Sequence, residues 1–221
     1  MVDLLAVCAH PDDFEVTVAG AFYKAKKEGK KIGLIVFTGG ESGGYAEQST
    51  RVLEAEKAAK ILELDYFAIL GLPDAGIVFN QDAIDALVPH LRACSPKLIF
   101  TFLQDDYHPD HVAVSKTTKA ASFIAGLKKH SQDDTDWHYD GILYFGEDQK
   151  RNKRRPDFYV DISDVIDVKK AACDAHASQK VTEFAMDNAR HHGRVANVEY
   201  AEGFYLGESI TINTISNLLS D

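Results

Sequence analysis

What most restricts the fold of this chain is a repeated pairing: a short, nearly unbroken apolar run, a polar turn, then a longer segment with helical spacing. Val2–Ala9 is the first such run, and it stops at His10-Pro11 as a buried strand stops at a loop. Over Glu15–Lys30 the residues Val16, Ala19, Phe22 and Tyr23 recur at helical spacing, and lysines followed by Gly29 give the stop signal. The alternation returns with strands at Ile32–Phe37, Tyr66–Leu70 and Lys97–Leu103. Helices are expected over Thr50–Leu64, from an Asn80 cap to Ala93, and over Asp110–Ile124. Such βαβ units predict an α/β, Rossmann-like three-layer fold, with a mainly parallel sheet and helices on both faces. The last third is less regular: short strands at Gly141–Phe145 and Phe158–Ile162, a helix capped by Ser163 running to Ser178, and a strand over Val198–Leu206. With 221 residues and no linker-like stretch, one domain spanning 1–221 is expected.

Charge narrows the partners. A formal net charge of -10 repels phosphate backbones and anionic membranes, so neither nucleic acid nor membrane is an expected partner. The basic stretch Lys150–Arg155 reads as a solvated loop, because no aromatic residues interleave to stack bases. The start carries no basic leader, and no apolar run approaches the roughly 20 residues of a spanning helix, which predicts a cytoplasmic protein. The 3 cysteines, Cys8, Cys94 and Cys173, are too dispersed for a metal knuckle and read as reduced thiols. Thr38–Gly44 holds glycines but lacks both the dinucleotide-binding spacing and a P-loop lysine, so no nucleotide cofactor is indicated.

Open α/β sheets bind ligands at the carboxyl ends of their strands. Two His-Pro-Asp clusters fall there: His10-Pro11-Asp12-Asp13 after the first strand and Tyr107-His108-Pro109-Asp110-His111 after the fourth. Each cluster alone could be a helix cap or a surface group. Their coincidence points to a metal. Two histidines and one carboxylate leave a fourth position for water, the catalytic rather than the structural arrangement for zinc.

These motifs resemble the zinc-dependent deacetylases of the LmbE-like, or PIG-L-like, family, whose motifs are Ala-His-Pro-Asp-Asp and His-Pro-Asp-His. The resemblance extends over nearly the whole chain, through Thr38–Glu41, Arg51, Glu54, Gly71–Asp74, Arg155–Ser163 and Val198–Tyr205. The late segments are most similar to the bacillithiol-pathway branch, which deacetylates N-acetylglucosaminyl malate. The resemblance implies that His10, Asp13 and His111 hold one Zn2+, or Fe2+ or another divalent metal, with Asp12 as general base and His108 stabilising the oxyanion. It implies further that Arg51, Glu41 and Asp74 hold an amino-sugar conjugate. Tyr107, which joins them, and Tyr45 stand where that branch often has arginine. Assembly into trimers or hexamers is implied as well.

The expected mechanism has a protonated His108 sharing the oxyanion charge, with Asp110 orienting it. Three rivals remain: a non-haem iron oxygenase, a non-catalytic sugar-binding protein, and a metal-dependent hydratase or lyase on another small polar molecule.

Overall fold

The computed structural model describes residues 1–44, 46–128, 137–146, 151, 154–207 and 209. Among the described residues seven strands form one sheet in the order β3-β2-β1-β4-β5-β7-β6. They are β1 (Leu4–Cys8), β2 (Ile32–Thr38), β3 (Tyr66–Leu72), β4 (Leu98–Phe102), β5 (Gly141–Phe145), β6 (Phe158–Asp161) and β7 (Ala201–Leu206). β1 to β5 are mutually parallel. Central β2 is buried at every residue, whereas edge strand β3 is only half-buried, as strands with two neighbours and with one should be. β7 inserts antiparallel between β5 and β6, with Leu143 opposite Leu206 and Phe158 opposite Phe204.

The expected first helix is two helices, α1 (Asp13–Thr17) and α2 (Ala19–Lys27), broken at Val18 with φ -131° and ψ 0°. The break is held from a distance. Lys169 Nζ donates to the carbonyls of Glu15 (2.8 Å) and Val16 (3.2 Å), while the Glu202 carboxylate accepts from the N–H groups of Gly20 (2.9 Å) and Ala21 (2.7 Å). Lys169 and Glu202 also pair with each other at 2.6 Å, wholly buried. Side chains from the far end of the chain thus cap both helix ends at the break.

The remaining helices are α3 (Gln48–Ile61), α4 (Gln81–Cys94), α5 (Pro109–Ala125), α6 (Ile166–Ala175) and α7 (Thr182–Ala196). Asn80 caps α4 as expected, its Oδ1 accepting from Ala83 N at 2.9 Å. Ser163 does not cap α6: its hydroxyl donates to Asp161, and residues 163–165 form a separate 3-10 turn. α7 has no counterpart in the sequence reading. Its buried residues Ala185, Met186, Ala189, His192 and Gly193 keep helical spacing, but most are too small or polar to register as an apolar stripe. α4 packs on α5, and α6 packs on α2, α3 and α7.

The strand order reverses between β1 and β4, so the loops following those two strands flank the switch point where open α/β sheets place their ligands. Among the described residues no helix is long and apolar enough to cross a membrane.

Candidate metal and catalytic site

A cavity of about 300 Å³ opens above this switch point, lined by residues from the loops after β1, β2, β3 and β4, by Arg51 of α3, and by Gln179. Its floor is Asp13, the first residue of α1. Asp13 Oδ2 accepts from the N–H groups of Ala9 (3.0 Å) and His10 (2.6 Å), which fixes the carboxylate and leaves Oδ1 facing His111 Nε2 at 3.5 Å. His111 lies one turn into α5, its ring stacked on Phe102 at 3.8 Å, with Nδ1 held by Asp106 at 3.2 Å. His10 turns Nδ1 toward Asp13 (3.5 Å), and its Nε2 meets Asp74 (3.1 Å) and Asp110 (3.4 Å).

One donor atom each from His10, Asp13 and His111 can be chosen so that all lie within 4.8 Å of one another. The set fits a small cation. Zinc–ligand distances of about 2.0–2.1 Å in a tetrahedron put neighbouring donors roughly 3.3 Å apart, close to the 3.5 Å between Asp13 Oδ1 and His111 Nε2. Each imidazole also has a carboxylate on its far nitrogen, the arrangement that orients metal-bound histidines. His10, His108 and Asp110 satisfy the same distance criterion. In that second set, however, Asp110 is already engaged: its oxygens accept from Ala75 N (2.9 Å) and Ile77 N (3.3 Å).

The electrostatics carry the same message. Burial works against charging His10, but Asp13, Asp110 and Asp74 outweigh it and hold the imidazole well above its ordinary range. Burial would raise the Asp13 carboxyl, yet His10 and His111 bring it below the usual carboxylate range. A proton on His10 neutralises this carboxylate cluster where a cation would do so better.

Asp12 lines the cavity beside these ligands, its Oδ1 accepting from Arg51 Nη2 at 3.0 Å. Arg51 is buried, and its Nη1 donates to the carbonyls of Gly40 (2.6 Å) and Gly43 (3.2 Å). Gly40 has φ +73°, and a Cβ there would run into the guanidinium, so the tight approach needs glycine. The structure therefore gives Arg51 a contact with the expected base as well as a place on the cavity wall.

His108 also lines the cavity, stacked on His111 at 4.6 Å. Its Nδ1 accepts from the Asp110 backbone N–H at 3.2 Å, an arrangement that places the proton of a neutral ring on Nε2. Burial, and then the charges of His111 and His10, push it further from protonation. This corrects two expectations. The proton expected on His108 is disfavoured, and Asp110 meets the ring through its backbone N–H while its carboxylate serves His10 and the turn after β3.

Of the remaining expected residues, Tyr107 lies on the rim and Asp74 on the wall. Glu41 is outside the lining and accepts from Asp74 N at 2.9 Å. Tyr45 falls outside the described residues. Two contributors were not anticipated. Asp106 stands five positions before His111 in an Asp-Asp pair that could have flagged it. Gln179 belongs to a distant turn anchored by Glu54, which accepts from Ser178 N (2.9 Å) and Ser178 Oγ (2.6 Å).

Comparison with known proteins bears on the family to which the chain belongs. The family profile described as PIG-L, GlcNAc-PI de-N-acetylase, matches residues 5–122. A conserved protein from Thermus thermophilus superimposes with a TM-score of 0.89 at 32% identity, over 98% of this chain and 99% of that one. Diacetylchitobiose deacetylase of Thermococcus kodakarensis is 24% identical over 90% of this chain and 81% of its own. A probable N-acetyl-α-D-glucosaminyl L-malate deacetylase of Bacillus subtilis is 26% identical over 80% and 82%. A 4-oxalmesaconate hydratase of Pseudomonas putida is also 26% identical, over 90% and 86%. The profile match spans more than half the chain and contains both His-Pro-Asp loops, and the chain belongs to the PIG-L family of deacetylases.

Proposed function

We propose that the protein is a metal-dependent hydrolase that removes the acetyl group from an N-acetylglucosamine-type conjugate, with N-acetylglucosaminyl malate a candidate substrate. The observation that carries this reading is the placing of a second, arginine-held carboxylate, Asp12, in the same cavity as the convergent His10, Asp13 and His111 set. Two neutral ligands and one carboxylate suit zinc, which when bound there supplies Lewis acidity toward water and the acetamide carbonyl. The chain's own groups do the rest. Asp12 accepts a proton from the attacking water and returns it to the departing amine nitrogen, since an amine anion is too poor a leaving group. The Nε2–H of His108 donates to the oxygen as negative charge develops on it, an interaction stronger in the transition state than in the substrate. Arg51 holds Asp12 in place throughout.

The test is release of free primary amine from N-acetylglucosamine conjugates by zinc-loaded protein. Chelator should abolish it and added zinc restore it. Asp12→Asn should retain metal and fold while losing about two orders of magnitude in turnover; undiminished turnover would remove Asp12 from its role. The matched hydratase relative keeps a second reading alive. Hydration of an unsaturated acid without amine release would favour it.

A further inference from the structure

Among the described residues that line the cavity, all but Gln179 lie within residues 5–122, the part of the chain that the family profile matches. The groups assigned to the metal, the proton transfer and the oxyanion all come from that part. Gln179 is delivered from the turn after α6, where its N–H donates to the His176 carbonyl at 2.9 Å.

Two helices that carry the chemistry also pin this turn. Glu54 of α3 accepts from Ser178 N (2.9 Å) and Ser178 Oγ (2.6 Å), and it lies one helical turn from Arg51, which holds Asp12. Glu15 of α1 faces the buried His176 ring at 3.3 Å. The tether orients the Gln179 amide as well. A carboxylate only accepts, so the Ser178 hydroxyl gives its proton to Glu54, and its oxygen accepts from Gln179 Nε2 at 2.8 Å. That bond decides which end of the amide is nitrogen. Oε1 then lies over Gly44, a lining residue with φ +76°, where a Cβ would run into it. Among the described residues, the bond through Nε2 is the one hydrogen bond of this side chain.

We infer that Gln179 is a specificity-determining residue whose amide oxygen accepts a hydrogen bond from a ring hydroxyl of the amino sugar. It reads the sugar ring while the groups of residues 5–122 act on the acetamide. The inference rests on the deacetylase reading above. From Asp12 the cavity wall runs through Arg51 to Gly43, whose carbonyl Arg51 Nη1 reaches at 3.2 Å, and on to Gly44 beneath Gln179. A pyranose anchored by its C2 acetamide at the Asp12 end extends its C3, C4 and C6 hydroxyls along such a wall. An amide oriented before the substrate arrives loses little freedom on binding. A site built to bond a hydroxyl also discriminates against the analogue that lacks it, because the protein group is then left unpaired.

The experiment takes as parent whichever of methyl N-acetylglucosaminide and N-acetylglucosaminyl malate is hydrolysed faster. It compares kcat/KM for the parent and its 3-deoxy, 4-deoxy and 6-deoxy analogues, using zinc-loaded wild type, Gln179→Leu and Ser178→Ala. In wild type, one deoxy analogue should fall about tenfold below the parent, mainly through KM, because the missing hydroxyl takes no part in bond making. In Gln179→Leu the same deletion should make no difference, a coupling read as in a double-mutant cycle, with zinc affinity unchanged. Ser178→Ala keeps Gln179 but removes the bond that orients it; part of the dependence should disappear, a comparison that does not need the Leu variant to fold. A merely structural role would lower every substrate by one common factor in Gln179→Leu. That result overturns the inference, as does a wild type indifferent to all three deletions, and in both cases continued amine release leaves the deacetylase reading standing. No amine from either parent takes down that reading and this inference together.

Discussion

The five-residue helix α1 separates two buried clusters of charged side chains, and they differ in how their charge is satisfied. On the cavity side, Asp13, Asp74, Asp106 and Asp110 surround two imidazoles, and each carboxylate either orients a histidine or faces the gap between His10 and His111. Under the core, Lys169 already has three acceptors: Glu202 and the carbonyls of Glu15 and Val16. Beside it His176 faces Glu15 at 3.3 Å, and the proximity of Glu15 outweighs burial to raise the imidazole's pKa. In the second cluster Lys169 has all its acceptors while the Glu15 carboxylate and the His176 ring face each other without a hydrogen bond; in the first, donor atoms of His10, Asp13 and His111 converge on one point of the cavity. The cluster around Lys169 ties distant parts of the chain together, whereas the cluster around His10 presents its donor atoms to a cavity.

The sharpest way to break this contrast is Asp13→Ala. It should abolish stoichiometric zinc binding and reduce amine release by about 10³-fold or more, with helical circular dichroism retained; metal analysis and turnover check it. Lys169→Met should do the opposite. Leaving Glu202 buried without its partner should cost about 3–5 kcal/mol in chemical denaturation, while the folded fraction still binds zinc. Lys169→Met combined with Glu202→Gln should recover much of that loss, and failure to do so would mean that packing rather than charge holds the break at Val18. Asp106→Asn is the gentlest probe. It should keep the fold and weaken zinc affinity by roughly 10–100-fold, as removal of a carboxylate behind a ligating histidine does; competition with a chromophoric chelator measures it.

The same contrast explains what the sequence discloses. That both His-Pro-Asp loops meet at one cavity was legible because the turns presenting them are local, and each follows a strand whose apolar run is plain. Strands β1, β2 and β4 were legible for the same reason. The break in the first helix was not, since its caps come from Lys169 and Glu202, over 150 residues away. Nor was the role of Asp110: a carboxylate one residue from His111 looks like a partner for the nearby imidazole, yet the turn over Asp74–Ile77 brings competing N–H donors to it. The antiparallel insertion of β7 between β5 and β6 escaped because an isolated strand segment says nothing of its neighbours. Arg151 was read as part of a solvated loop, and its contact with the Tyr107 ring could not be anticipated from a stretch that itself holds no aromatic residue.

The Glu202 cap on α2 has a consequence for the order in which the molecule can be completed. During synthesis, His10, Asp13 and His111 are all available while the last strand is still untranslated. The N–H groups of Gly20 and Ala21 must wait for Glu202 before they find their carboxylate. A contact spanning 182 positions is among the slowest kinds to form. The nascent chain therefore carries His10, Asp13 and His111 before α2 acquires its final cap, and β7 decides when it does.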